Sequence, residues 1–114
     1  MATSTLVKKP YESIAGAYAN QGKAIQLNVA QYMGETGFAF LVFTRLWGAN
    51  TAGFSNARAL YYCSGIQNGA YESCVRVTGS GSFVPTVSFS GATVTITWTN
   101  AAGGSYCIVP LFNF

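Results

Sequence analysis

Three cysteines and three glutamates are the residues of this chain with the widest chemical scope, and they stand in a sequence with no histidine and no aspartate. The cysteines are Cys63, Cys74 and Cys107; the carboxylates are Glu12, Glu35 and Glu72. Without an imidazole there is no Ser-His-Asp or Cys-His relay to activate a nucleophile, and no usual zinc site. Three scattered carboxylates do not make a calcium cage. A two-carboxylate glycosidase needs two of them to converge across a sugar, and nothing in their spacing arranges that. The expectation is a non-enzymatic protein with no metal and no cofactor.

The cysteines also raise a disulfide question, which the surrounding pattern frames. Asn68-Gly69 is the preferred pair for a two-residue type I′ hairpin turn, because both central residues need positive φ. A hairpin centred there pairs Leu60 with Val77 and Tyr62 with Val75 on one face. It pairs Tyr61 with Arg76 and Cys63 with Cys74 on the other. That register sorts aliphatics to one side, expected to be the core side, and charge to the outer side, where Tyr61 and Arg76 can form a cation–π pair. Cys63 and Cys74 then fall at a hydrogen-bonded pair with Cα atoms about 5.5 Å apart, within disulfide reach but less well aimed than at the alternate sites. The odd cysteine count and the lack of a secretory leader favour reduced thiols that act as small hydrophobes.

The elements that would position these groups read as strand after strand from Lys23 onward. Ile25, Leu27 and Val29 alternate with polar or small residues. After a Gly34–Gly37 turn, residues 38–47 are apolar on both faces, so the strand needs cover on both sides, from a second sheet or from another subunit. Phe38, Phe40 and Val42, with Phe112 and Phe114 at the chain's end, are the candidate oligomer interface. Val94, Ile96 and Trp98 alternate with threonines, and 106–112 form a closing strand in which Pro110 marks an edge or a bulge. Seven or so short strands with Gly-rich turns predict an all-β, antiparallel β-sandwich, jelly-roll-like, over residues 23–114. Residues 1–22 read either as an extended arm or as a short helix over Pro10–Ala19, where Tyr11, Ile14 and Tyr18 have helical spacing.

Half of the residues are hydrophobic and only 8% are charged, with a formal net charge of +3. An ordinary domain is about one-quarter charged, so the surface must be neutral and polar, covered by partner subunits, or both. The basic residues are scattered, with no stripe to track phosphates, which excludes nucleic acid. No apolar run reaches the ~20 residues of a membrane span, and residues 1–9 lack the apolar core of a secretory signal. Synthesis in a cytoplasm and no membrane insertion are expected. Aromatic residues beside Asn and Gln can stack on sugars. Trp47, Asn50 and Asn56 in the loop of residues 48–56 and its flank, and Gln67, Asn68 and Tyr71 at the hairpin tip, are the candidate ligand-binding residues.

From Phe38 to Phe114 the cadence resembles the C-terminal tip domains of bacteriophage tail fibres. The stretches that carry the resemblance are Gly37–Arg45, Ala59–Gly65, Thr93–Thr97 and Ser105–Leu111, an alternating Val/Ile/Thr strand followed by a closing apolar strand that ends at Pro-Leu. The resemblance implies a homotrimeric β-sandwich on a virion that recognises a host cell-surface receptor, glycan or protein, through tip loops. The chain departs from the family in having no shaft repeat or coiled coil before the domain. It therefore reads either as a tip or as a capsid decoration or head-fibre protein that docks on the shell through its N-terminal arm. A stand-alone cellular lectin has no supporting feature.

Overall fold

The computed structural model describes residues 14–18, 24–46, 57–66, 71–80, 84–98 and 104–114. They form eight strands: β1 (Ile14–Tyr18), β2 (Ala24–Asn28), β3 (Phe38–Leu46), β4 (Arg58–Gly65), β5 (Ser73–Ser80), β6 (Thr86–Ser90), β7 (Thr93–Thr97) and β8 (Gly104–Asn113). A five-stranded sheet runs β1-β8-β3-β4-β5 and a three-stranded sheet runs β2-β7-β6. Every pairing is antiparallel. The two sheets close face to face as a sandwich. Among the described residues no helix is long and apolar enough to cross a membrane.

The alternation in sequence becomes alternation in burial. Val94, Ile96 and Trp98 point inward from the β7 segment and are fully buried. They meet Phe38, Phe40, Val42 and Leu46 of β3 and Ile108 of β8 in one core cluster. Phe89 of β6 drives edge-on into the stacked Phe38–Phe40 pair, with ring centroids at 5.8 and 5.2 Å, a favoured geometry for aromatic quadrupoles. Pro110 lies in a central strand and is accommodated by the irregularity where Ala39 faces Phe112 but Phe40 faces Pro110. The expected bulge is there, and on its other side Pro110 lies beyond the last described pair with β1, Ile14↔Ile108.

Four expectations change. Phe38, Phe40 and Val42 are at most 1% exposed within the single chain, so they have no surface left to give a partner; the second sheet covers them. Phe112 and Phe114 are exposed. Residues 14–18, within the span read as either a helix or an extended arm, are strand, paired from Ile14↔Ile108 to Tyr18↔Gly104, so the sheet includes residues before 23. Leu60 faces Thr78 and not Val77, because a bulge shifts the register between Leu60 and Tyr61.

The fourth change concerns the faces of the β4–β5 hairpin. Tyr62↔Val75, Tyr61↔Arg76 and Cys63↔Cys74 pair as the sequence predicts. However, Ala59, Tyr61 and Cys63 are the buried side. The Tyr61 hydroxyl donates to the carbonyl of Pro85 at 3.3 Å, tying β4 to the approach of β6. Tyr61 is a core residue and no outer-face cation–π partner. Leu60, Tyr62 and Val75 therefore lie on the outside of the sandwich.

Candidate functional site

Strand directions sort every connection to one of two ends. β1, β3, β5 and β7 run one way, and β2, β4, β6 and β8 the other. At one end lie the segment leading into Ile14, the 3-10 turn at Ala30–Tyr32 with the following turn, the β4–β5 hairpin loop, the Gly91–Ala92 turn and the C-terminal Phe114. This is the entry end. At the opposite, distal end lie the connections β1–β2, β3–β4, β5–β6 and β7–β8.

This polarity divides the predicted ligand-binding residues. Residues 47–56, with Trp47, Asn50 and Asn56, join β3 to β4 at the distal end and lie outside the described residues. The flanks of that segment are pinned, with Leu46 N donating to the Ala57 carbonyl at 2.9 Å. Gln67 and Asn68 also lie outside the described residues, in the hairpin loop at the entry end. Tyr71, beside them, is 73% exposed. The two groups attach to opposite ends of β4, whose eight residues span about 24 Å at the rise of an antiparallel strand. Of the six, Tyr71 alone lies among the described residues.

The entry end is tightly built. Phe114 closes on the turn before β3: its carbonyl accepts from Thr36 N at 2.8 Å and Gly37 N at 3.1 Å, and its own N–H donates to Gly37 O at 2.9 Å. A Cβ at Gly34 would strike the Phe114 backbone and, at 2.6 Å, the Gly37 carbonyl, so glycine is required there. Glu72 reaches across to the second sheet and accepts from Gly91 N at 2.9 Å. The turn it holds has positive φ at both Gly91 and Ala92, the signature of a type I′ hairpin.

Cys63 and Cys74 meet sulfur to sulfur at 3.5 Å, unbonded. Hydrogen bonding to Cys74, and then burial, push the Cys63 thiol far above its ordinary range. The same bond, donated by Cys63, lowers that of Cys74. The two are free thiols in a chain of hydrogen bonds, Cys63 donating to Cys74 and Cys74 donating to the Val87 carbonyl at 3.6 Å. Among the described residues no three His, Cys, Asp or Glu side chains converge as a metal site.

No protein-family model matches the chain, and no curated protein matches it. A solved structure does. The chain is similar in fold to part of the Acinetobacter phage vB_ApiP_P1 tailspike protein, with a TM-score of 0.56 at 12% identity. The match covers 98% of this chain and 24% of the tailspike chain, so the present chain spans about a quarter of that protein's length. The likeness is one of architecture: the sandwich recurs as a portion of a phage tailspike.

Proposed function

We propose that this chain is a non-enzymatic bacteriophage virion protein, a homotrimeric β-sandwich tip that contacts a host-surface receptor through its distal loops. The observation that carries the reading is the polarity of the sandwich. The segment before Ile14 enters at one end, where Phe114 is also locked, and the β3–β4 connection with Trp47, Asn50 and Asn56 leaves at the other. A domain attached by its entry end presents the distal connections outward. Loops held by a rigid scaffold are the common location of binding residues, and Trp beside Asn suits stacking and hydrogen bonding to a glycan. The likeness to a portion of a phage tailspike supports a place in a phage tail.

The test is binding of fluorescently labelled protein to a panel of bacterial cells. Substituting Trp47→Ala together with Asn50→Ala should weaken binding at least about tenfold, roughly the 1.4 kcal/mol of one lost anchor. Tyr71→Ala, at the entry end, should leave it intact. Unchanged binding by a folded Trp47/Asn50 variant would overturn the distal-loop reading. The capsid-decoration alternative uses the same entry end for shell docking, and deleting residues 1–13 tests it by loss of capsid binding.

A further inference from the structure

The outer face of the five-stranded sheet carries an apolar grid that, among the described residues, the second sheet does not cover. Cross-strand registers lay it out in rows. One row runs Val109–Leu41–Tyr62–Val75, across β8, β3, β4 and β5. The next runs Ala15–Cys107–Phe43–Leu60–Thr78. Val75 is 57% exposed, Phe43 41% and Val109 37%, while Leu41, Leu60 and Tyr62 are half-buried. The charged residues of this face, among those described, form the following row at the distal end, where Arg45 faces Arg58. On the entry side the grid ends at Ser64 and Ser73, with Phe112 opposite Ala39.

We infer that this face is where copies of the chain meet, packed about an axis parallel to the strands. The inference rests on the homotrimer in the proposed function and names its surface. Three lines of reasoning favour a copy of the same chain as the occupant. Four strands by two rows cover about 260 Å², at strand spacings of ~4.8 Å and ~3.4 Å per residue. That is close to the few hundred Å² of the largest apolar patch on a typical monomer. With the Ser, Thr and Arg rows on either side the face is about 520 Å², some two-thirds of the roughly 800 Å² per partner of a standard interface. The two central rows contain no charge, so a second copy buries no ion and needs no carboxylate, of which the chain has few. Finally, strands parallel to the axis leave the Arg45–Arg58 row at the solvent end and aim every distal end in one direction, as a receptor-binding tip requires.

The experiment is solution mass by light scattering across a dilution series, for wild type, Phe43→Lys and Val75→Lys. Both positions are exposed in the single chain, so either lysine is accommodated by a folded monomer. The expected result is a wild-type trimer and variants that dissociate to monomer at concentrations at least tenfold higher than wild type does, with unchanged far-ultraviolet circular dichroism. Radical footprinting of wild type on both sides of its dissociation midpoint keeps the question decidable should a variant misfold. Phe43, Val75 and Val109 should be labelled several-fold more in the monomer. A trimer insensitive to both lysines, or with unchanged labelling of these residues, overturns the assignment of this face and leaves the trimer standing. A wild-type monomer at all concentrations overturns both.

Discussion

The indole nitrogen of Trp98 donates a 2.7 Å hydrogen bond to the hydroxyl of Thr44 across the sandwich, and Thr44 donates in turn to the carbonyl of Ser105 at 2.9 Å. This two-step relay joins the three-stranded sheet to β3 and β8 in a region from which water is excluded. Thr44→Val is nearly isosteric and removes both hydrogen bonds of the relay. A loss of about 1–3 kcal/mol is expected, read as a lower denaturation midpoint at unchanged slope. Thr44→Ser keeps the hydroxyl and should lose less. A valine variant as stable as wild type would show that the relay contributes nothing.

Gly104 makes room for the same tryptophan. A Cβ there would strike the Arg45 carbonyl and the Trp98 indole, and neither is the free end of a flexible side chain. Gly104→Ala should destabilise by about 1–3 kcal/mol through overpacking and change the near-ultraviolet circular dichroism of the buried indole. Retention of both stability and that signal would refute the clash.

The Gly91–Ala92 turn holds an alanine at φ 62°, a left-handed conformation costing roughly 1–2 kcal/mol for a residue with a Cβ. Replacing the pair with Asn-Gly, through Gly91→Asn and Ala92→Gly, supplies the residues this turn type prefers. A gain of up to about 1 kcal/mol is expected, or several degrees in Tm for a domain of this size. A drop in Tm would mean that the Ala92 methyl, which packs against the core, outweighs its backbone strain.

The thiol pair predicts a pH dependence. Because Cys63 donates to Cys74 and lowers its pKa, the Cys74 thiolate forms at lower pH than an isolated thiol would. Its alkylation rate should therefore rise at lower pH in wild type than in Cys63→Ala, where the donor is gone. Coincident pH–rate curves would count against donation from Cys63 to Cys74. Closing the pair needs the sulfurs to move from 3.5 Å to about 2.05 Å. Diamide, itself reduced to the hydrazine, should remove both thiol hydrogens and leave Cys107 as the one alkylatable cysteine. Three thiols persisting after diamide would show that the backbone holds the sulfurs apart.

Strand positions, the hairpin pairing around Asn68-Gly69 and the inward set Val94, Ile96 and Trp98 were legible because alternation and turn chemistry act locally. The side of β4–β5 that faces the core was not. Leu60, Tyr62 and Val75 compete with Ala59, Tyr61 and Cys63, and a period of two marks two faces without saying which one the second sheet covers. The β1 segment stayed open between arm and helix for a related reason. Ile14 and Tyr18 are four apart, a spacing that suits one face of a helix and one face of a strand alike. Pairing with β8 decides between them, and that partner lies some ninety residues away. The division of the candidate loops between two ends follows from strand direction, which becomes readable once the number of strands between them is known.

The strands run from the entry end to the distal end, so a pull between an attachment at residue 14 and a ligand held by the β3–β4 loop is directed along them. Such a load shears the β1-β8-β3 ladder, whose hydrogen bonds lie across the pulling direction and must yield together, where a peeling geometry would break them one at a time. A sandwich of this polarity thus resists force applied along its strands from end to end.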